Sequence, residues 1–533
     1  MKLRIFKVQA SRGAPLAEID AVAGEKLSHA VWLSGRIPPL PLCGGLGHCG
    51  RCRVRFVGAA PLPLPEEEVV FSREDLASGW RLACRRQVYE GNGRASLDLE
   101  LPRDVFVALH CPGPTSVKSV ADAGSELVLA VDLGTTSVHW RALVATGRER
   151  GAIAAQGSFL NPQAGAGADV MSRLAVAVRP EGRKRLSDLV RERLRLVVAS
   201  APGPVVRMCL AANTAMTDIF LDRDVAGLCA APYYTSHAGH ELVRLSELPP
   251  VYIPPLPAPF VGGDVSAGLA ALLHCKTPRP FVLADLGTNG ELALVTGRGE
   301  VLLTSVPLGP ALEGTGMECG RLAGPDAATR FSLTPSGLTA VAPGGTAQAR
   351  GISATGYISL AAALYKLRLL DAFGRFADSV SLNGCALPIA HTVAAGFVQW
   401  SGQTRLNLPN GLWLSAADVE KLLKVKAAFE LALSRLLDAA ALSHKDVARI
   451  CLAGALGEHV NPEDMAILGF VPACQASRIR AAGNVSLDGA ALLALRPQKS
   501  LGLACLCGRA RLLSLVEEAD FQREYFCRMR FGD

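Results

Sequence analysis

Residues 127–144 read LVLAVDLGTTSVHWRALV, and residues 280–295 read PFVLADLGTNGELALV. Each stretch is an apolar run of strand length that ends in Asp-Leu-Gly-Thr and is followed by a second apolar run, so the two form an internal repeat. A hairpin of this kind predicts a phosphate-binding loop, because glycine lets the backbone approach phosphate oxygens while loop amides and the Thr hydroxyl donate hydrogen bonds. The carboxylates of Asp132 and Asp285 suit a hydrated Mg²⁺ or an attacking water.

One Asp-Leu-Gly-Thr sequence alone is also compatible with an aspartate that caps a turn, but a second copy on a matching strand favours the phosphate loop.

A third stretch adds to this pattern. The sequence VARICLAGALGEHV at residues 447–460 follows a helical pattern over residues 415–441 and predicts a strand that ends in the stretch AGALG at residues 453–457. Glycines at such a strand end let the ring of a ligand lie against bare backbone.

The three elements, in this order, resemble the phosphate-1, phosphate-2 and adenosine loops of the acetate and sugar kinase/Hsp70/actin superfamily. The resemblance implies an α/β multidomain protein in which two ribonuclease-H-like lobes hold ATP and Mg²⁺ in a cleft. It implies that Asp132 and Asp285 are catalytic. It further implies a set of nucleotide-binding residues, namely Gly134, Thr135, Thr136, Gly287, Thr288, Asn289, Gly454, Ala455 and Gly457.

Four cysteines near the start of the chain predict a metal centre. Cys43, Cys49 and Cys52 stand as C-x5-C-x2-C in PLCGGLGHCGRCRVRF (residues 41–56), and Cys84 follows in a later apolar segment. A [2Fe–2S] cluster takes four thiolates, two per iron, so we predict these four cysteines as its ligands. The glycines between them allow positive φ, which lets backbone amides point at the sulfides.

The alternative is a zinc site, because four cysteines with one C-x2-C pair can bind zinc tetrahedrally. Zinc sites usually show two such pairs and lack a glycine-rich loop, so the sequence favours iron–sulfur. Two strand patterns, at about residues 3–9 and 15–22, and a helical pattern at residues 24–35 precede the cysteine loop. That order resembles the β-grasp ferredoxin, and the x5 gap matches its adrenodoxin-like variant.

Length, charge and hydropathy exclude several classes of protein. A chain of 533 residues is longer than one hydrophobic core usually supports, so several domains are expected. Its net charge of +7 is too small for this length to indicate nucleic-acid binding. The longest apolar stretch, residues 356–370, contains Lys366 and Arg368 and is too short to span a bilayer. With no visible signal peptide, we expect a cytoplasmic protein that binds neither nucleic acid nor membrane, with reduced thiols.

Taken together, the cysteine loop and the ATP-binding loops resemble the reductive activators of corrinoid proteins, the iron–sulfur ATPases that serve cobalamin-dependent methyltransferases. The resemblance implies transfer of one electron from the [2Fe–2S] cluster to Co(II) in a partner corrinoid protein, which gives Co(I) for methyl transfer. It implies ATP and Mg²⁺ as cofactors and a reduced donor such as ferredoxin or flavodoxin. The resemblance is compatible with a homodimer.

Two other functions are open from the sequence. One is a small-molecule kinase of the same superfamily whose ferredoxin domain senses redox state. The other is an ATP-gated chaperone that inserts or repairs a metallocofactor. A small acceptor would stimulate ATP turnover by the kinase, a corrinoid protein would stimulate an activator, and an apo-protein would bind the chaperone.

The predicted domains are a ferredoxin domain (residues 1–105), a linker (106–126), a first lobe (127–258) and a second lobe with the adenosine loop (259–533). Two roles are open for Asp264, which ends a Gly-Gly-Asp sequence: it lines the nucleotide cleft, or it caps a turn or a helix. Four late cysteines match no family motif, and spectator thiols are favoured over a second metal site. They are Cys474, Cys505, Cys507 and Cys527.

Overall fold

A computed structural model describes residues 1–8, 14–89, 96–102, 105, 124–287, 289–308, 316–321, 323–343, 349–378, 387–400, 402–454 and 460–532. Most of the predicted linker thus lies outside the described residues. Those that are described form two compact units, of which unit 1 comprises residues 1–264 and 490–500 and unit 2 comprises residues 265–489 and 501–533. Within these ranges, no helix combines the length and the apolar composition needed to cross a bilayer.

The N-terminal part of unit 1 is a five-stranded mixed sheet with short helices. Its strands are β1 (Lys2–Lys7), β2 (Ala17–Asp20), β3 (Arg53–Phe56), β4 (Trp80–Leu82) and β5 (Ser96–Leu101). Its helices are α1 (Leu27–Trp32), α2 (Pro65–Val70) and α3 (Arg73–Ala77). The strand order is β2-β1-β5-β3-β4, in which β1 and β5 are parallel. A separate core that includes Leu3, Leu27 and Trp32 lies within this part.

The rest of unit 1 is built on a six-stranded sheet of order β10-β11-β9-β6-β7-β8. Its strands are β6 (Leu127–Leu133), β7 (Ser137–Val144), β8 (Ile153–Leu160), β9 (Val205–Ala211), β10 (Glu241–Val243) and β11 (Val251–Ile253). Its helices are α4 (Val170–Ala177), α5 (Pro180–Ala199) and α6 (Thr214–Leu221), and α7 (Gly263–His274) begins at its end. Asn213 caps α6, since its side chain accepts a hydrogen bond from Met216 N.

Unit 2 is built on a second six-stranded sheet, of order β23-β22-β12-β13-β14-β24, with three smaller sheets beside it. Its strands are β12 (Phe281–Leu286), β13 (Asn289–Val295), β14 (Val301–Pro307), β15 (Ala327–Ala328), β16 (Arg330–Thr334), β17 (Gly337–Val341), β18 (Gly351–Ile352), β19 (Phe397–Trp400), β20 (Gln403–Asn407), β21 (Trp413–Ser415), β22 (Arg449–Gly454), β23 (Ile479–Ala481) and β24 (Arg511–Leu513).

Besides α7, the described α-helices that lie wholly or partly in this unit are α8 (Ala354–Lys366), α9 (Pro388–Ala394), α10 (Ala416–Ala439), α11 (Pro462–Ile467), α12 (Val485–Leu495), α13 (Lys499–Cys507) and α14 (Phe521–Cys527). The end of α12 and the start of α13 fall within residues 490–500 of unit 1. The helix predicted over residues 415–441 is confirmed as α10, which Ser415 caps by accepting a hydrogen bond from Asp418 N. Helices α8 and α10 contribute to one core with strands β12 to β14.

The two large sheets repeat one topology. In the first sheet, β6 pairs antiparallel with β7 and parallel with β9; in the second, β12 pairs antiparallel with β13 and parallel with β22. The third antiparallel strand, β8 or β14, then follows in each. The internal repeat read from the sequence therefore corresponds to four strands in the same order in each sheet, β9-β6-β7-β8 and β22-β12-β13-β14, whereas the outer strands differ. The predicted mixed α/β multidomain architecture is confirmed.

Within unit 1, the N-terminal part is attached to the second half by polar and apolar contacts. Arg185 of α5 donates from Nε to Leu33 O (2.7 Å) and from Nη2 to His29 O (3.2 Å), and it pairs with Glu25. Leu33 itself belongs to the core around the β6–β9 strands. This part of the chain is therefore packed against the lobe that carries the first Asp-Leu-Gly-Thr loop.

Candidate functional site

The four predicted cluster ligands come together at one end of the N-terminal sheet. Cys43 and Cys49 lie in the loop between α1 and β3, Cys52 immediately precedes β3, and Cys84 lies in a 3-10 turn after β4. The antiparallel pairing of β3 and β4 brings the last two together, and Ala83 N donates to Cys52 O over 3.0 Å. Thiol contacts link Cys43 with Cys49, Cys52 with Cys84, and Cys43 with Cys84.

Contacts among the thiols favour the charged form at two of the four positions. Hydrogen bonds from Cys49 and then from Cys84 lower the pKa of Cys43, and a hydrogen bond from Cys84 lowers that of Cys52. The pKa values of Cys49 and Cys84 are raised because these thiols are the donors. A metal that replaces the shared protons would find thiolate ligands, as an iron–sulfur cluster requires.

The cysteine loop has the backbone conformation that its glycines predict. Gly44, Gly45, Gly47 and Gly50 all have positive φ, between +65° and +95°. A side chain at Gly44 would also place its Cβ 2.3 Å from Ser172 Oγ, so only glycine fits there. The loop therefore has the shape in which successive amides can point at a sulfide.

A buried glutamate that sequence reasoning missed supports the segment of Cys84. Glu67 is 0% exposed, and its Oε1 accepts hydrogen bonds from Leu82 N (2.9 Å) and from Arg86 Nε (3.1 Å). Its Oε2 accepts from Leu64 N (2.9 Å) and lies 3.8 Å from Arg81 Nε. One carboxylate thus joins α2, β4 and the turn that carries Cys84. The sequence conceals this role, because Glu67 lies in a run of three glutamates.

Replacing that carboxylate should weaken the cluster site. We expect Glu67→Gln to lower the stability of the N-terminal part by about 3–5 kcal/mol, because it leaves two buried guanidinium groups without their counter-charge. The holo protein should then contain less iron and acid-labile sulfide per chain, and its visible absorbance should bleach at a lower temperature. Glu68→Gln, at the exposed neighbouring position, is the matched control. Equal iron content and bleaching temperature in both variants would contradict this role of Glu67.

The first Asp-Leu-Gly-Thr loop is the turn between β6 and β7. Asp132 lies at the end of β6, beside Ala211 of the parallel strand β9, and the buried Thr135 and Thr136 follow. Gly134 makes a close turn, since a Cβ there would lie 2.7 Å from Ser137 O. The aspartate therefore lies at the carboxyl end of a parallel strand pair, where ligands bind open α/β sheets.

The carbonyl groups of this loop are held from behind by residues that the sequence does not single out. Asn161 donates from Nδ2 to Gly134 O (2.8 Å) and from its backbone N to Thr136 O (2.9 Å). Arg173 donates to Thr135 O, and both side chains are completely buried. Three successive carbonyls of this loop are thus satisfied by buried donors. In a trans peptide the N–H points away from the carbonyl of the same peptide.

The strand ends that lead into the second and third loops are neighbours in the sheet of unit 2. The register of β12 against β22 pairs Asp285 with Ala453 and Leu286 with Gly454. Gly454 has a φ of +67°, and a Cβ there would lie 2.4 Å from Asp285 Oδ1. Gly287 N donates to Asn289 O over 3.0 Å. The predicted site residues Thr288, Ala455 and Gly457 lie outside the described residues.

The Gly-Gly-Asp sequence lies beside the first loop's sheet. Asp264 is in the first turn of α7, and its backbone N donates to Ala212 O (3.2 Å), directly after β9. Gly262 approaches so closely that a Cβ would lie 2.4 Å from Asn213 Cα. Asp264 therefore lies near the same strand ends as Asp132 and in the first turn of a helix, so it stays a candidate both for the site and for a helix cap.

Among the described residues, the late cysteines do not gather with other cysteine, histidine or carboxylate side chains as a metal centre would require. Cys474, Cys505 and Cys527 are exposed, whereas Cys507 is buried with its sulfur 3.5 Å from Ser266 Oγ. On the core strand β22, burial raises the pKa of Cys451 to about 11. That the four late cysteines are spectator thiols stays a prediction.

Comparison with known proteins agrees with this geometry. Residues 279–533 match a family model described as "C-terminal domain of RACo the ASKHA domain", and residues 127–276 match one described as "RACo middle region". ASKHA denotes the acetate and sugar kinase/Hsp70/actin fold that the loops predicted. The two matched ranges contain the first, second and third loops in order.

Two curated relatives are similar to the chain. The corrinoid activation enzyme RamQ of Eubacterium limosum is 26% identical over 430 residues, which are 76% of this chain and 70% of that protein. The [Co(II) methylated amine-specific corrinoid protein] reductase of Methanosarcina barkeri is 25% identical over 289 residues, which are 53% of this chain and 51% of that protein.

A solved structure, that of a "Reductive activator for corrinoid,iron-sulfur protein", is also similar. It superposes with a TM-score of 0.67 at 21% identity and covers 99% of this chain and 98% of its own, so the fold is shared along the whole length. The domain matches, the named relatives and this shared fold agree with one another. The chain belongs to the family of reductive activators of corrinoid proteins.

Proposed function

We propose that the protein is an ATP-dependent reductive activator, which delivers one electron to the Co(II) of a partner corrinoid protein and returns it to Co(I). The observation that carries this proposal is that one chain combines four convergent cysteines with two matching phosphate-type loops. The two curated relatives are named for corrinoid proteins, one as an activation enzyme and one as a Co(II) corrinoid protein reductase.

The N-terminal part would be the redox domain, a β-grasp [2Fe–2S] ferredoxin over residues 1–105. Cys43, Cys49, Cys52 and Cys84 would hold the cluster, since their thiol contacts join the four into one group. When bound, the cluster would supply storage and release of a single electron. The chain's own contribution is to hold the four thiolates together, to point loop amides at them through positive-φ glycines, and to anchor Cys84 through Glu67.

Residues 106–126 would be a linker, and residues 127–258 and 259–533 the two lobes of the ATPase. Asp132 and Asp285 would bind Mg²⁺ or orient water, because each is a carboxylate at the end of a strand that pairs in parallel with a neighbour. The amides after Asp132 would hold one set of phosphate oxygens and those after Asp285 the other. Gly454 would give the adenosine access to the backbone.

ATP has a clear energetic task in this reaction. Reduction of Co(II) to Co(I) needs an electron at very low potential, and each 59 mV of one-electron gap costs about 1.4 kcal/mol. A nucleotide that binds two conformations with different affinity can supply a few kcal/mol. A reduced ferredoxin or flavodoxin would provide the electron, and the corrinoid protein would be the acceptor.

The direct test is anaerobic reduction of a Co(II) corrinoid protein by the holo protein with an electron donor in excess, followed by Co(I) absorbance with and without Mg-ATP. We expect Co(I) only with ATP. Asp132→Asn should lower the rate by about 100-fold, because the carboxylate for Mg²⁺ or water is lost. Cys84→Ser should abolish Co(I) while ATP binding remains.

Exposed positions supply the matched controls. Asp438→Asn on α10 and Cys527→Ser on α14 should both retain the wild-type rate. ATP hydrolysis that leaves cobalt as Co(II), but that a small acceptor or an apo-protein stimulates, would replace the activator with a kinase or a metallocofactor chaperone.

The contact between Gly454 and Asp285 makes a second prediction. Gly454→Ala should weaken Mg-ATP binding at least about tenfold, or ~1.4 kcal/mol, because its methyl group must displace the Asp285 carboxylate. Isothermal titration calorimetry measures this affinity. Gly402→Ala is the matched control, since Gly402 has a similar φ of +78° but nothing lies within 4 Å of the position that a methyl group would take. If both variants lost the same affinity for Mg-ATP, the loss would be due to backbone strain and not to the Asp285 carboxylate.

A further inference from the structure

Residues 161–173, which we name the bridging segment, touch both functional loops of unit 1. At one side, Asn161 and Arg173 donate to the carbonyls of Gly134, Thr135 and Thr136 in the first phosphate-type loop. At the other side, the segment contacts the residues on either side of Cys43. The same thirteen residues therefore connect the loop proposed for ATP with the loop proposed for the cluster.

The contacts to the cysteine loop are two backbone hydrogen bonds and one contact with a side chain. Leu42 N donates to Ala164 O (3.3 Å), and Ala168 N donates to Leu42 O (2.8 Å). Gly44, on the other side of Cys43, packs against Ser172, whose Oγ donates to Asp169 Oδ2 over 2.6 Å. Any shift of the segment would consequently move the backbone on both sides of one cluster ligand.

Arg173 holds the segment together internally. Its Nε donates to Gly167 O (3.0 Å), and its Nη1 donates to Gln163 Oε1 (3.3 Å), while Nη2 reaches Thr135 O. Gln163, itself fully buried, donates to Leu186 O (3.1 Å) on α5. The rigid fork of a guanidinium can fix three acceptors at once, which a lysine cannot do.

The chemistry of the peptide group makes this link sensitive to a phosphate. The carbonyl of Thr135 shares a peptide with the N–H of Thr136, and that of Gly134 shares one with the N–H of Thr135. A hydrogen bond to one end of a peptide group polarises the other end. A phosphate bound to the amides therefore strengthens the hydrogen bonds that Arg173 and Asn161 donate to the carbonyls. In the same way, those hydrogen bonds strengthen the binding of the phosphate. Such mutual strengthening is a coupling free energy between the two sites.

We propose that Arg173, together with Asn161, is a positioning residue that couples nucleotide occupancy of the Asp132 loop to the backbone around Cys43. The proposal rests on the proposed function, because it takes the phosphate of a nucleotide as the ligand of that loop. Nucleotide draws the bridging segment onto the loop carbonyls, and the segment in turn fixes Leu42 and Gly44.

The test is hydrogen–deuterium exchange on the full-length holo protein, with and without Mg-ADP at a concentration shown by calorimetry to saturate each variant. In the wild type, Mg-ADP should slow exchange at the amides of Leu42 and Ala168 at least about tenfold. In Arg173→Lys the slowing should disappear while bound iron and saturation are kept. If Arg173 only stabilised the fold, Arg173→Lys would change the exchange rates equally with and without Mg-ADP, and Mg-ADP would still slow exchange at Leu42 and Ala168.

Two further variants sharpen the experiment. Asn161→Asp, which is isosteric, removes the donor to Gly134 O and should also lose the response, so the proposal stays testable if Arg173→Lys fails to fold. Arg191→Lys is the matched control, since Arg191 donates to Phe220 O (2.9 Å) on α6 and should keep the full response.

The possible failures are distinguishable. A wild type that binds Mg-ADP without slowing at Leu42 would overturn the coupling, while ATP-dependent Co(I) formation would still stand. Retention of the response in both Arg173→Lys and Asn161→Asp would overturn the role of these residues. A wild type that binds no nucleotide would overturn both this inference and the proposed function.

Discussion

In each large sheet, a strand with an aspartate near its carboxyl end pairs in parallel with the neighbouring strand. This pairing sets the geometry of the phosphate-type loop in both units. In unit 1 the pairing places Asp132 beside Ala211, and in unit 2 it places Asp285 beside Ala453. The carboxyl ends of the paired strands meet at one edge of each sheet, where ligands bind open α/β sheets. Gly454 shows how tight this is, because no side chain fits between its backbone and the Asp285 carboxylate.

The second organising feature is that the cysteine-bearing part is packed on the first of these lobes. Leu33 lies in the lobe's core, Arg185 holds two carbonyls of the N-terminal part, and the bridging segment meets the cysteine loop directly. The N-terminal part is therefore held on this lobe and is not a free appendage. A protein that must make electron transfer depend on nucleotide needs a physical path between the two sites, and a shared buried segment supplies a short one within unit 1.

Much of the fold and part of the site could be predicted from the sequence. The repeated Asp-Leu-Gly-Thr stretches, the helix after Ser415 and the glycine-rich cysteine loop each have local patterns, and the structure confirms the hairpins, the helix and the positive φ values. Asn161 and Arg173 could not be found this way, because they act on backbone carbonyls far away in sequence, which leave no pattern of residue types. Glu67 was missed because only burial distinguishes it from Glu66 and Glu68.

Nucleotide, we propose, makes the electron of this chain available to cobalt, and a single turnover tests this most directly. The holo protein is reduced, freed of donor and mixed anaerobically with one equivalent of a Co(II) corrinoid protein. Cluster oxidation and Co(I) formation are then followed together before and after Mg-ATP is added. We predict that both stay absent until Mg-ATP is added, and that each Co(I) formed then corresponds to one oxidised cluster. Co(I) formed equally without nucleotide, or ATP hydrolysed while the cluster stays reduced, would contradict this coupling.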